Sequence, residues 1–411
     1  MPVRLFLPTL TLCALFAAPA PADDWPQFRG PKRDGVSTEK GLLQSWPAEG
    51  PPLAWTAKGL GGGYSTVSVA GDRVYTLGNK NKDSHLVALD KKTGDILWTS
   101  LVGPAGGSLG CTPTVDGDRV YALGQAGDLV CIDAAGKQVW HRHLVTDFGG
   151  VKGGWNYCES PLVDGDKVIV TPGGKDATMV ALDKTTGKDV WKCPIPTKKN
   201  EAGYSSVVVA EVGGVKHYVQ LFNGGLVGVS TDGKVLWTHE KLGNNTANVP
   251  TPIVIGDLVF SSIGYGRGAS LVKLTAEGGA VSAKEVYYER PLTNKHGGVI
   301  RVGDYVYGDT DDSGKPYCAE LKTGKVMWKR SSEGDGGGSA AVTYADGRLY
   351  FHYDNGVVAL VEASPAAYKE VGSFKAPKRN GASWAHPVVS DGKLYIREGD
   401  MLFCYDIRAK K

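Results

Sequence analysis

A short hairpin signature recurs along almost the whole chain, and this repetition limits the folds open to it more than any other feature. Val69-Ala70-Gly71-Asp72-Arg73-Val74-Tyr75 returns as Val115-Asp116-Gly117-Asp118-Arg119-Val120-Tyr121 and as Val163-Asp164-Gly165-Asp166-Lys167-Val168. Further copies are Ile255-Gly256-Asp257-Leu258-Val259-Phe260, Val302-Gly303-Asp304-Tyr305-Val306-Tyr307, Asp346-Gly347-Arg348-Leu349-Tyr350 and Asp391-Gly392-Lys393-Leu394-Tyr395. A degenerate copy surrounds Gly213-Gly214, followed by His217-Tyr218-Val219, which makes eight copies with steps from 42 residues (214 to 256) to 48 (117 to 165). A period of this length marks one supersecondary unit repeated around or along a molecule.

A second signature follows each anchor. Leu89-Asp90-Lys91-Lys92-Thr93-Gly94-Asp95-Ile96-Leu97-Trp98 is the fullest copy, repeated at Leu182-Asp183 to Trp191, Asp232-Gly233 to Trp237 and Thr323-Gly324 to Trp328, and shortened at Gly136 to Trp140. Tyr287 and Phe374 replace the Trp in two copies, and the last copy ends at Asp406-Ile407-Arg408 without one. The missing strand stands near the start, at Pro52-Leu53-Ala54-Trp55.

Each repeat reads as four short strands rich in β-branched and aromatic residues between breakers. The predicted fold is all-β: an eight-bladed β-propeller of four-stranded antiparallel blades, closed by the N-terminal strand, over residues 23–411. Closure removes the free sheet edges that invite aggregation. Composition agrees, because 57 glycines in 411 residues is about twice the usual share and hairpin turns consume them. The Trp of each repeat is predicted to pack between blades.

The first 22 residues read as an export signal. Arg4 precedes an apolar stretch, and Ala20-Pro21-Ala22 has the small-x-small form of a cleavage site. Leu12 before Cys13 lacks the small residue that lipidation requires, so no lipid anchor is expected. No later segment is long and apolar enough to span a membrane as a helix. The mature chain is expected in the periplasm or at the cell surface, as a monomer. A formal charge of +3 gives no reason to expect nucleic acid as a partner.

The Ala-Leu-Asp-x-x-Thr-Gly-x-x-x-Trp repeat resembles the pyrroloquinoline-quinone (PQQ) type propeller repeat. That superfamily includes quinoprotein alcohol dehydrogenases and the propeller lipoprotein of the outer-membrane assembly machinery. The entry segment Trp25-Pro26-Gln27-Phe28-Arg29-Gly30-Pro31, with Arg33-Asp34-Gly35, resembles the start of PQQ-like propellers of planctomycete-type bacteria. The resemblance implies a scaffold. It also raises PQQ and calcium as cofactors, but the dehydrogenases use an adjacent Cys-Cys pair, and no two cysteines are adjacent here.

Cys131, Cys318 and Cys404 share one small-residue slot of the third strand with Ala88, Ala181, Gly228 and Ala359, and read as small hydrophobes. Cys111 and Cys158 alone fall at equivalent entries of neighbouring blades, which leaves a disulfide between them open.

In a propeller the entries to the first strands surround the channel and are the default place for a ligand. Here they hold Tyr64, Trp155, Asn156, Tyr157, Glu159, Tyr204, Asn248, Lys295-His296, Trp384 and His386. This aromatic and polar rim is predicted to grip a protein, peptide or glycan. The alternative is a quinoprotein oxidoreductase acting on an alcohol or sugar, with Trp155 or Trp384 and Glu159 beside the quinone. A separate run, Asp309, Asp311, Ser313 with Gly314, and Glu320, has calcium-loop spacing, although Pro316 interrupts it.

Overall fold

The computed structural model describes residues 24–107, 110–331, 335–377 and 381–410. The expected export signal, with Cys13, lies outside the described residues. Among the described residues the strands form eight four-stranded antiparallel sheets. Their first strands are Ser68–Ala70, Thr114–Asp116, Leu162–Asp164, Val208–Val212, Ile253–Ile255, Val299–Val302, Ala340–Ala345 and Val388–Ser390. First strands of adjacent blades pack on one another, which sets them around a common axis. Leu53–Ala57 supplies the outer strand of the last blade, pairing with Met401–Asp406 so that Trp55 stands opposite Cys404. The one α-helix among the described residues is the single turn Leu144–Phe148.

The geometry explains both repeat signatures. Asp391 (φ 56°) and Gly392 (φ 64°) together take the left-handed conformation that a two-residue hairpin needs. In the second signature, Asp90 Oδ1 accepts hydrogen bonds from the backbone N–H groups of Lys92 (2.8 Å) and Thr93 (2.9 Å). Gly94 then turns the chain with φ of 77°.

The Trp lies across the glycine of the next blade. A Cβ on Gly94 would stand 2.5 Å from the Trp55 ring, one on Gly136 2.8 Å from Trp98, and one on Gly187 2.8 Å from Trp140. Each indole N–H also donates to a carbonyl of that next blade: Trp98 to Ala134 at 3.1 Å, Trp140 to Lys184 at 2.9 Å, Trp191 to Thr231 at 3.0 Å. Tyr287 keeps the bond through its hydroxyl, to the Leu321 carbonyl at 2.7 Å. Trp237 departs from the pattern and donates to His217 Nε2 within its own blade. Truncating such a ring costs about 3–5 kcal/mol.

The shared cysteine slot has the same origin. Strand register sets Ala88, Cys131, Ala181, Gly228 and Cys318 directly opposite Trp98, Trp140, Trp191, Trp237 and Trp328. Only a small side chain fits beneath an indole, and Cβ on Gly228 would meet Trp237 at 2.1 Å. All six described cysteines are free thiols. The Cys111–Cys158 disulfide left open by the sequence is absent, because the Cys111 sulfur accepts from the Leu123 N–H while the Cys158 thiol turns to the Trp155 carbonyl.

The segment before the first blade crosses the channel. Trp25 pairs with Val69 in the first blade, and the Pro26 carbonyl accepts from Val115 in the second. Arg33, 3% exposed, donates to the carbonyls of Ser160 (2.9 Å), Pro161 (2.6 Å) and Val207 (2.7 Å) in the third and fourth. Arg29, 2% exposed, donates to Val299 (2.5 Å) in the sixth, and Tyr344 in the seventh pairs with Gly35 and Ser37. A guanidinium presents several donors in a fixed fork, which suits it to joining carbonyls of separate blades.

Candidate functional site: an aromatic cup in the channel mouth

With this strap across its base, the channel becomes a cup of about 190 Å³. Phe28 and Arg29 of the strap line it together with Tyr64, Trp155, Tyr204, Tyr265, Trp384, Lys295, His296 and His386. One wall is a run of rings from three blades: Tyr64 and Trp384 have centroids 4.7 Å apart, and Trp384 and His296 4.5 Å apart. Trp155 and Tyr204 pair edge to face at 5.9 Å, and Phe28 meets His386 edge to face at 5.0 Å.

A ring of hydroxyls stitches part of the cup together. Thr112 N–H donates to Ser160 Oγ (2.9 Å), Ser160 N–H to Ser206 Oγ (3.0 Å) and Ser206 N–H to Thr251 Oγ1 (3.2 Å). These residues occupy one repeat position, and His386 takes that position in the last blade. There the Thr66 hydroxyl donates instead to the His386 carbonyl at 2.6 Å.

Charge in the cup is one-sided. Arg29 and Lys295 line it, and among the described residues no Asp or Glu does. Lys295 pairs with Asp312 at 2.6 Å and has its ammonium over the Tyr265 ring. Arg29 bonds only to carbonyls, those of Arg33, Asp34 and Val299, and its Nη1 has no partner. Burial lowers its pKa to about 10, which leaves it charged at neutral pH. Burial, helped by Lys295, lowers His296 to about 4, and burial with Arg29 lowers His386 to about 3, so both imidazoles are neutral. His296 Nε2, His386 Nδ1 and Trp384 Nε1 are likewise buried without a protein partner.

Seven of the rim residues expected from the sequence meet here: Tyr64, Trp155, Tyr204, Lys295, His296, Trp384 and His386. Four others serve the blades instead. The Tyr157 hydroxyl donates to the Pro172 carbonyl at 2.7 Å, and Asn248 donates to Asn223 at 2.6 Å and to the Asn244 carbonyl at 2.9 Å. Asn156, at φ 66°, bonds the Gly106 carbonyl. The Glu159 carboxyl accepts from the Thr171 N–H (2.7 Å), the Thr171 hydroxyl (3.1 Å) and Gln220 (3.2 Å). Burial raises its pKa to about 8, against the opposing pull of Thr171 and Arg33.

Sequence reasoning missed Phe28, Arg29, Tyr265 and the hydroxyl ring. The ring was readable as Thr or Ser before Pro at Thr112-Pro113, Ser160-Pro161 and Thr251-Pro252. Nothing in the repeat marked the strap, which lies outside it.

The calcium-spaced run is spread along a hairpin. Asp309 stands opposite Pro316, whereas Glu320 stands opposite Tyr305, four residues and roughly 13 Å away. Asp309 is buried, accepts from the Ala340 N–H at 3.1 Å, and is raised to about 8 by burial. Ser313 donates to the Thr310 carbonyl at 2.5 Å, and Glu320 accepts from Thr323 at 2.5 Å. Asp311 lies beside Gly266 in the turn. Among the described residues no group of three or more His, Cys, Asp or Glu is arranged to hold a metal ion.

Fold and cup together define a PQQ-like propeller with a plugged channel. The model of the family described as "Outer membrane protein assembly factor BamB" matches residues 33–154 and 82–330, and the chain belongs to that family. It is 23% identical over 443 residues to tetrathionate hydrolase of Acidithiobacillus ferrooxidans, covering 93% of this chain and 81% of that protein. It is 25% identical over 287 residues to Outer membrane protein assembly factor BamB of Burkholderia pseudomallei, covering 67% of this chain and 68% of that one. Among solved structures, quinohemoprotein alcohol dehydrogenase from Comamonas testosteroni superposes with a TM-score of 0.64 at 15% identity, over 95% of this chain and 81% of that one.

Proposed function

We propose that this chain is an exported binding propeller that takes part of a protein, peptide or glycan into the aromatic cup. The observation that carries this reading is the cup itself: six aromatic side chains converge on a cavity whose base the strap closes. Such rings offer flat apolar faces with little side-chain freedom to lose, as recognition surfaces require. Membership of a family named for outer-membrane protein assembly supports an exported binding role. Among the described residues no helix is long and apolar enough to cross a membrane.

The oxidoreductase reading asks the cup to hold PQQ with calcium. Aromatic faces and Arg29 suit a flat acidic ring system. Calcium needs several hard oxygens, including carboxylates, and among the described residues no carboxylate lines the cup. Glu159 uses its carboxyl on Thr171 and Gln220. The residues present therefore do not fit the metal-bound cofactor, and binding is the better reading.

The test is tryptophan fluorescence of the purified chain titrated with peptide and glycan libraries. The expected result is saturable quenching that Trp384→Ala and Trp155→Ala each weaken by about tenfold, near 1.4 kcal/mol. Binding that ignores both substitutions overturns the reading.

A further inference from the structure

The cup has a chemical preference that follows from a buried cation in its wall. Arg29 is desolvated in the cup wall and hydrogen-bonds only to neutral carbonyls, while the Asp34 carboxylate acts on it through space alone. A buried charge without a hydrogen-bonded counterion is unfavourable, and a bound anion relieves it. The second cation, Lys295, is paired with Asp312 and lies near Asp311, so Arg29 carries the preference. Among the described residues no acidic side chain lines the interior, so the charged side chains that face it are cations.

Shape and hydrogen bonding narrow the anion. A cavity near 150 Å³ holds a benzene ring, so about 190 Å³ holds one substituted six-membered ring. The Tyr64–Trp384–His296 run walls it with rings. The unpartnered atoms are of both kinds. Arg29 Nη1 and Trp384 Nε1 are donors. If the His386 Nε2 proton points to the His296 carbonyl 3.3 Å away, His386 Nδ1 is left as an acceptor. A ring that carries a carboxylate and several hydroxyls answers all of these, whereas an arene carboxylate answers the donors alone.

We infer that the cup binds a carboxylate-bearing sugar ring, of the uronic acid class, at the end of a glycan. This rests on the binding reading above and specifies its ligand. The strap then works as part of the recognition site as well as a plug, because it contributes the charge.

The experiment uses the whole chain and tryptophan fluorescence with four probes: a galacturonate oligosaccharide, its methyl ester, benzoate and tetrathionate. The galacturonate oligomer is expected to bind at least about tenfold more tightly than the ester. Arg29→Gln is expected to erase that difference between acid and ester. A melting curve for the variant reports whether the strap still seats, and the ester comparison on the unmodified chain needs no variant. Equal affinity for acid and ester overturns the inference and leaves the binding reading standing. Tighter binding of benzoate or tetrathionate than of galacturonate also overturns it. Failure of every glycan and peptide to quench overturns both.

Discussion

Replacing Gly136 by Ala tests whether the glycine of the repeated turn exists to seat the Trp of the preceding blade. Gly136 has φ of 85°, and an added Cβ would stand 2.8 Å from Trp98 Cδ2 and 3.1 Å from two further ring atoms. The backbone part of the penalty is about 1–2 kcal/mol for a left-handed Ala. The crowding part is about 1–3 kcal/mol, because Trp98 must shift and strain its bond to the Ala134 carbonyl. The sum is about 2–5 kcal/mol. Gly117 in the same blade is the control, since it has φ of 59° with nothing within 4 Å of an added Cβ. Gly117→Ala therefore carries the backbone part alone, about 1–2 kcal/mol. Urea unfolding followed by circular dichroism and by fluorescence measures both. In a Trp98→Ala background the Gly136→Ala penalty is expected to fall to that of Gly117→Ala. Equal penalties for the two glycines in the unmodified chain would refute the seating argument.

Two further predictions concern buried groups. Glu159 has a folded-state pKa raised to about 8 from an ordinary value of 4.5, so the unfolded chain releases this proton first as pH rises. Stability from this group is full below about pH 4.5 and is lost as pH climbs towards 8; Glu159→Gln is expected to flatten that part of the melting-temperature profile, and an unchanged slope would count against the protonated carboxyl. The six described cysteines are expected to react as six free thiols in denaturant without reductant, and a count of four would show a disulfide.

Much of the fold was legible because repetition multiplies a weak local signal eightfold. The Asp-Gly anchors named the hairpins, and the displaced strand at Leu53–Ala57 named the ring closure. The small-residue slot of Cys131 and Cys318 was visible in the alignment, but its reason, an indole directly opposite, required strand register. The site was less legible. Trp384 and His386 stood out against plain loops, but Glu159, Tyr157 and Asn248 stand at similar entries and turn into the blades. Alternation along a strand assigns side chains to faces, and irregular entry segments have no fixed period to read.

By itself the sequence determined the blade, its number and the order in which the ring closes. These follow from local turn chemistry and from the pairing of strands adjacent in the chain. Only the tertiary structure decided what fills the channel. The strap joins blades more than a hundred residues away, as when Arg33 reaches Ser160 and Val207. Such contacts are set by where closure brings the blades, so the charge that gives the cup its character became visible only once the ring was complete.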